Sequence, residues 1–429
     1  MATVTARKLP PELCDIIIDN LWGDISALAA CGRTCRSWLP RARRHLFDDI
    51  YVHGHNIQRF MDLIRDNPSI LLLVRSLTMG DHFTEWKLLV AALYAVFVHP
   101  NRVKIVCLKQ WKILVEVKDA KILHYLWPSV QILSFVDCVF EISVFMRILC
   151  ACPQLSAVNV RKTKIIGDSA PPSFAPPKSL RLTTLDLKIE EPVPYVLTCF
   201  LTQPFDLQVH WLKSNWSNVS AEKLRTVLSR AGTSLRHLSI DVSVDNTHEA
   251  SSHGTLDLSV NPNLVSLHVE QFVQTTSFRV ARSILAEVRK MHTHFREVYF
   301  SVEGCVNSLQ LPYSRLDKQL ARIAGLIERR TALLVTFIII NPEDLVKSQE
   351  LGDLIESSLP KLQATRGRLR ILAVDSRTEV CGRAVVLKTH FDCDPNGNTD
   401  HEFDGRGDGF GSGLRLKAPP GFFDFAVRI

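Results

Sequence analysis

A single apolar spacing recurs along most of the chain and limits what it can fold into. The pattern L-x-x-L-x-L, with conservative apolar replacements, occurs at Val74-Leu77-Met79, Val103-Val106-Leu108, Val130-Leu133-Phe135, Leu155-Val158-Val160, Leu182-Leu185-Leu187, Leu235-Leu238-Ile240, Leu264-Leu267-Val269, Phe295-Val298-Phe300 and Leu369-Leu372-Val374. Copies follow one another at about 24–31 residues, with wider gaps around two degenerate stretches, Phe205 to Leu212 and Leu333 to Ile340. Repetition at that period means one small unit used many times, and such a unit cannot bury its own apolar face without neighbours.

Helical patterns fill the spaces between copies. Ser220 reads as an N-cap, followed by Leu224, Val227, Leu228 and Ala231 on one face and Gly232 as the stop. Val280, Ile284, Leu285 and Val288 form a second stripe; Leu316, Leu320, Ile323 and Ile327 form a third, opened by a capping box of Ser314 with Asp317. Strand, turn and helix at this period resemble the leucine-rich repeat. The resemblance implies an α/β chain whose stacked units build a curved solenoid, strands concave and helices convex. At the repeat position of Cys138 the family often has Asn or Cys, whose side chain satisfies loop backbone groups. His82, Trp111, Thr163, Ser243 and Phe272 occupy that position elsewhere and do not fit. Irregular loops are therefore expected, and some other strand-and-helix packing stays open.

Upstream of the repeats, Leu13, Ile16, Ile17 and Leu21 share one helical face. Pro10 and Pro11 suit a helix start, and Glu12 and Asp15 complement the positive end of its dipole. Gly23 and Asp24 break the helix; a second pattern runs Ile25, Leu28, Ala29, Cys31, Cys35 before Trp38, Leu39 and Pro40 turn the chain again. So small a helical unit buries little surface alone and leans on a neighbour or partner. These residues resemble the F-box family, whose signature is Leu-Pro-x-Glu-Leu, an aliphatic pair, a Leu closing the first helix, and Cys-Arg-x-Trp near the end of the second. Here they are Leu9, Pro10, Glu12, Leu13, the pair Ile17 and Ile18, Leu21, Leu28 and Cys35-Arg36-Ser37-Trp38. Thr34 stands where the family usually has an aliphatic residue. The stretch from Ala30 to Phe47 also looks like F-box-like proteins abundant in mushroom-forming fungi.

This second resemblance implies a non-catalytic substrate-recognition subunit of an SCF-type (Skp/cullin/F-box) ubiquitin ligase. Leu9, Pro10, Glu12, Leu13, Ile17, Leu21, Leu28, Cys35 and Trp38 would contact the Skp-type adaptor, and through it a cullin. A non-degradative interaction scaffold is the alternative. Side chains alternate along a strand, so the polar residues between the apolar positions face solvent on the concave side. Lys109, Arg161, Asp186, Lys188, His237, Asp241, His268, Glu270, Glu297 and Tyr299 are thus the candidates for touching a protein target, although a solvated polar face accounts for any one of them.

The expected organisation is a helical module over 1–50, repeats over 51–391, a flexible Gly/Asp-rich segment over 392–421 and an apolar end over 422–429. The Pro-rich insert from Ser169 to Lys178 reads as an exposed loop. The apolar run Leu88 to Val98 is about half of a bilayer span and reads as a buried helix, and Met1 to Pro10 lacks the apolar core of a secretory signal. Eleven scattered cysteines look like free thiols, so a cytoplasmic or nuclear location follows, and the sequons at Asn215 and Asn218 carry no weight. A net charge of +7, with Lys and Arg spread along the chain, gives nucleic-acid binding little support. The cluster Arg41, Arg43 and Arg44 is expected at a helix C-terminus. Asp392-x-Asp394-x-Asn396-Gly397 opens like a calcium loop but has Phe403 where a bidentate Glu belongs. Arg406-Gly407-Asp408, Cys150-x-Cys152 and His292-x-His294 are weak signals, and no phosphate loop, nucleophile elbow or HExxH helix is present. No cofactor, metal, nucleic acid or membrane partner is expected.

Overall fold

The computed structural model describes residues 9–80, 96, 102–113, 127–166, 180–188, 200, 205–215, 218–242, 256–271, 275–303, 312–326, 332–340, 345–365, 367–374 and 384–389. The chain divides into two compact units, Met1–Leu207 and Gln208–Ile429.

The first unit opens with three helices, α1 (Pro11–Asn20), α2 (Ile25–Thr34) and α3 (Leu39–Asp48). Their boundaries follow local chemistry. Pro10 caps α1 with Pro11 in its first turn, where a missing N–H costs nothing. Gly23 takes a φ of 95° in the turn that follows, and the Asp24 carboxylate accepts the Ala27 N–H at 2.9 Å to start α2. Helix α3 runs on to Asp48, so Arg41, Arg43 and Arg44 lie along it and not at its C-terminus. The chain continues through β1 (Asp49–Val52), α4 (Ile57–Asp66), β2 (Ser76–Gly80), β3 (Ile105–Lys109), β4 (Lys112–Ile113), β5 (Ile132–Val136), β6 (Val139–Glu141), α5 (Ile142–Cys150), β7 (Ala157–Arg161), β8 (Lys164–Ile166) and β9 (Arg181–Lys188). Strands β1, β2, β3, β5, β7 and β9 pair in that order, all parallel. Strands β4, β6 and β8 form a small parallel sheet of their own.

The second unit contains β10 (Asp206–Asn215), α6 (Asn218–Ala231), β11 (His237–Asp241), β12 (Ser266–Glu270), α7 (Thr275–Ala286), β13 (Glu297–Glu303), α8 (Ser314–Leu326), β14 (Leu334–Ile340), α9 (Leu345–Ser357), α10 (Pro360–Ala364), β15 (Arg368–Val374) and β16 (Ala384–Thr389). Strands β10 to β15 are parallel neighbours in chain order, and β16 closes the run antiparallel to β15.

Every copy of the apolar pattern falls on a strand, and the degenerate stretches are β10 and β14. The middle apolar positions are in register, Leu77 beside Val106, Leu133, Val158 and Leu185, and Leu238 beside Leu267, Val298 and Val335; the last copy is the exception, because Leu369, read as its first position, stands beside Val335 and Leu372 beside Ile338. All are buried. Each such side chain contributes about 1.5–3 kcal/mol when withdrawn from water. Aromatic rings reinforce the core: Phe135 contacts Phe140 and Phe145 at 5.3 and 5.0 Å, and Phe300 stacks on Phe337 at 4.9 Å. The architecture is therefore a leucine-rich-repeat-like α/β array behind an N-terminal group of helices.

Three local features depart from expectation. Helix α6 starts at Asn218, upstream of Ser220, although Leu224, Val227, Leu228 and Ala231 are buried as the stripe required. Asp317 makes no capping box; its carboxylate accepts the N–H groups of Lys361 and Leu362 at 3.0 and 2.8 Å. Those orphan donors at the start of α10 need an acceptor more than α8 does. The third concerns the loop position of Cys138. Cys138 Sγ donates to the Leu108 carbonyl at 3.2 Å, as the repeat requires, but Trp111 Nε1 reaches the Met79 carbonyl at 3.0 Å and Thr163 Oγ1 the Arg161 carbonyl at 2.9 Å. All three are buried. An indole or hydroxyl donor thus serves in these two loops where Asn was sought. His82, Ser243 and Phe272 lie outside the described residues.

Just before these donors, Gln110, Asp137, Lys162 and Gln271 hold φ between 48° and 59°, each following the last residue of its strand. Left-handed backbone in a residue with a Cβ costs roughly 1–2 kcal/mol, so its recurrence marks one turn repeated. The Gln110 and Asp137 N–H groups donate to the Val136 and Arg161 carbonyls at 2.8 and 2.9 Å, which binds each turn to the next repeat.

The apolar run Leu88 to Val98 is described only at Val96, which is helical and buried. The Pro-rich insert, the calcium-like motif, Arg406-Gly407-Asp408 and the C-terminal apolar end lie outside the described residues. Among the described residues no helix is long and apolar enough to cross a membrane.

Candidate functional site

Helix α1 is apolar on two sides, and only one is covered. Ile18 is fully buried with Leu28, Cys31 and Ala42, and Leu21, Trp38 and Leu46 pack against them. That is a closed core for the three helices. The other side carries Leu13, Ile16 and Ile17, which are 46%, 55% and 44% exposed. Leu9 adjoins them at 56%, and the α1–α2 turn adds Trp22 and Ile25 at 43% and 73%. One exposed Leu means little. Here Leu13, Ile16 and Ile17 fall at helical spacing on one face with Leu9 just before the helix, an apolar stripe of the kind that marks an interaction surface.

Polar groups fix that face in place. The Asp19 carboxylate takes Arg41 Nε at 2.6 Å and His45 Nε2 at 2.7 Å, tying α1 to α3. The Arg41 hydrogen bond is the main reason the Asp19 carboxyl titrates low, at about 2; partial burial opposes it. The Pro10 carbonyl accepts the N–H groups of Leu13 and Cys14 at 3.1 and 3.2 Å. Cys35 is exposed, with Sγ 3.1 Å from Ser37 Oγ, and that contact lowers its thiol pKa.

The nine expected adaptor contacts therefore separate. Leu9, Pro10, Glu12, Leu13, Ile17 and Cys35 are exposed. Leu28 is buried, and Leu21 and Trp38 are half-buried, packing against the module's own core. Ile16, Trp22 and Ile25 belong to the exposed set and were absent from the expected one. A helical wheel shows that α1 has too many apolar residues, but not which side its neighbours cover.

The polar strand face is not an open solvated one. In the first unit Asp186 is fully buried, paired with Arg161 Nη2 at 2.8 Å. On the neighbouring strand Asn159 Nδ2 donates to Ser134 Oγ at 3.0 Å. In the second unit Glu270 is held by Lys213 Nζ at 2.5 Å and Ser239 Oγ at 2.7 Å. His268 Nδ1 lies 3.5 Å from Glu270, and its Nε2 lies 2.7 Å from Ser301 Oγ. His237 Nδ1 meets Ser266 Oγ at 2.8 Å, and the Tyr299 hydroxyl donates to Glu297 at 3.0 Å. Burial lowers the His237 pKa and raises that of Tyr299, helped in the second case by Glu297.

Of the target candidates, Asp186, Asp241, His268, Glu270 and Tyr299 are buried, while Lys109, Arg161, His237 and Glu297 are half-buried. The side chain of Lys188 lies outside the described residues. Parallel strands stand only about 4.8 Å apart, so polar side chains on adjacent strands cover and pair with one another. Ser301, His268 and Glu270 stand in the order of a nucleophile, base and orienting acid. Lys213 already neutralises Glu270, however, and Ser301 is only 5% exposed, which makes the group a satisfied buried network.

The weaker sequence signals resolve as structure. Cys150 and Cys152 are buried thiols; burial lifts Cys150 to about 11 and Cys152 well above its usual value. His292 is buried and bonded to the Leu258 carbonyl at 3.0 Å. Among the described residues no group of three or more His, Cys, Asp or Glu is placed to hold a metal ion.

No family model matches the chain, and no curated protein matches it. Among solved structures it is similar to the crystal structure of the leucine-rich repeat-containing protein LegL7 from Legionella pneumophila, at 12% identity over 78% of this chain and 92% of that one, with a TM-score of 0.41.

Proposed function

We propose that this chain is a substrate-recognition subunit of an SCF-type ubiquitin ligase. Residues 9–48 act as an F-box that docks a Skp-type adaptor, and the repeats bind a protein target. The observation that carries the reading is the uncovered apolar side of α1, with Leu13, Ile16 and Ile17 exposed on a module whose core is already closed by Ile18, Leu28, Cys31 and Ala42. A closed core leaves no internal use for that stripe, and a protein partner removes it from water. The spaced Leu9-Pro10-x-Glu12-Leu13 and Cys35-Arg36-Ser37-Trp38 motifs name the class of partner. Any ubiquitin transfer then belongs to the assembled complex.

Co-expression with a Skp-type adaptor tests the docking step. The wild-type chain should co-purify with it and the Leu9→Ala/Leu13→Ala/Ile17→Ala variant should not; retention by the folded variant refutes the assignment. Target turnover is tested separately. A protein captured by the repeats should rise in abundance when the gene is deleted, and constant abundance favours a non-degradative scaffold.

A further inference from the structure

A second surface of the first unit has a different chemistry. A groove of about 780 Å³ is lined by Arg44, Asp48, Leu72, Leu73, Arg75, Arg102, Lys104, Ser129, Gln131 and Gln154. Arg44, Arg75, Arg102 and Lys104 are all exposed, and none forms an ion pair with another described residue. Asp48 is the single acid among the described lining residues, against four cations. Their mutual repulsion is relieved by an anionic guest, and unpaired like charges around a groove concentrate such a guest.

The array is fixed by the backbone. The Asp48 carbonyl accepts the Arg75 N–H at 2.8 Å, the Arg75 carbonyl accepts Lys104 N–H at 2.9 Å, and the Lys104 carbonyl accepts Gln131 N–H at 2.8 Å. Asp48, Arg75, Lys104 and Gln131 thus sit on successive rungs where β1, β2, β3 and β5 begin, about 4.8 Å apart. Arg75 and Lys104 are consequently held side by side on adjacent strands, and Arg44 and Arg102 line the same groove.

We infer that this groove binds an extended, carboxylate-rich peptide segment of a protein partner. Arg and Lys take the acidic side chains, the Gln131 and Gln154 amides are suited to the peptide backbone, and Leu72, 43% exposed, offers a contact for one apolar side chain. Single-stranded nucleic acid is a poorer fit, because among the described residues no aromatic ring lines the groove for bases to stack on. The inference stands apart from the docking reading, since the groove and the α1 stripe share no residue.

The test uses the purified full chain and fluorescence polarisation with a labelled nine-residue peptide alternating Glu and Gly around one Leu. Arg75→Glu/Lys104→Glu is compared with Arg33→Glu/Arg59→Glu, a variant of equal net charge altered at exposed positions on α2 and α4. Arg75→Gln/Lys104→Gln supplies a milder change if the reversal disturbs folding. The groove variants should weaken binding by about tenfold or more, the control variant by less than about twofold, and added salt should weaken the wild type. Equal losses in all variants, no binding by the wild type, or tighter groove-dependent binding of a single-stranded oligonucleotide or phosphatidylserine vesicles would each overturn the inference.

Discussion

Asp19 on α1 and Arg41 on α3 form a two-pronged ion pair, Nε to Oδ1 at 2.6 Å and Nη2 to Oδ2 beside it. The pair ties α1 to α3 at a position beside Ile16 and across the helix from Ile17. Its pH dependence follows from the direction of the shift. The Asp19 carboxyl is depressed from 3.8 to about 2, so its contribution is present in full well above the unfolded value of 3.8, declines below it and is lost as pH falls through about 2. Both side chains are about a third exposed, at 31% and 36%, which limits the pair to about 1 kcal/mol. Asp19→Asn should lower the urea midpoint at pH 6, and the difference from wild type should shrink towards zero by pH 2. A difference independent of pH would exclude this ion pair as its source.

Trp38 separates packing from docking. Because it lies against Ile18, Leu28, Cys31 and Ala42, Trp38→Ala should destabilise the helical module by about 2–3 kcal/mol, less than a fully enclosed Trp. Thermal unfolding should register the loss without any partner present. An unchanged midpoint would return Trp38 to the partner-facing set.

The strand positions were legible in the sequence because burial of alternate residues in register leaves a spacing that neither Phe nor Met substitution hides. Leu333 to Ile340 was harder: β14 is a continuous apolar run with no polar alternation, and such runs do not reveal which residues face inward. The loop donors were misread because residue identity stood in for chemistry; Trp111 and Thr163 donate as Asn would. The exposed side of α1 was half legible. Leu9, Leu13 and Ile17 were found by motif, whereas Leu28 and Trp38 share that motif and pack on the core. Burial of the polar strand face depends on pairs such as Arg161 with Asp186, which sequence spacing alone does not specify, and the groove cations lie on separate rungs that only the stacking brings together.

Asn261 is fully buried, and its Nδ2 donates to the carbonyls of Leu228 and Gly232, both at 2.9 Å. These are carbonyls at the end of α6, where a helix lacks internal partners. Asn261→Ala should cost about 1–3 kcal/mol by leaving acceptors unsatisfied. Asn261→Asp should cost more, because a carboxylate faces carbonyl oxygens. Urea unfolding of the two variants checks the order.

The repeated turn predicts opposite effects at one exposed site. Lys162 has a φ of 48° and an exposed side chain. Lys162→Gly should be neutral or stabilising by up to about 1 kcal/mol, because relief of left-handed strain is partly offset by entropy of the unfolded chain. Lys162→Val should destabilise by about 1–2 kcal/mol. If both behave alike in urea unfolding, the turn conformation is not what limits the site.

The central claim is that the uncovered side of α1 is a protein-docking face, and the direct measurement is the affinity of the full chain for a purified Skp-type adaptor by titration calorimetry. Wild type should bind, and Leu13→Asp/Ile17→Asp should weaken binding by at least about a hundredfold, near 2.7 kcal/mol, while its unfolding midpoint stays within a few degrees of wild type. Binding unaffected by this change, or no binding by the folded wild-type chain, would contradict it.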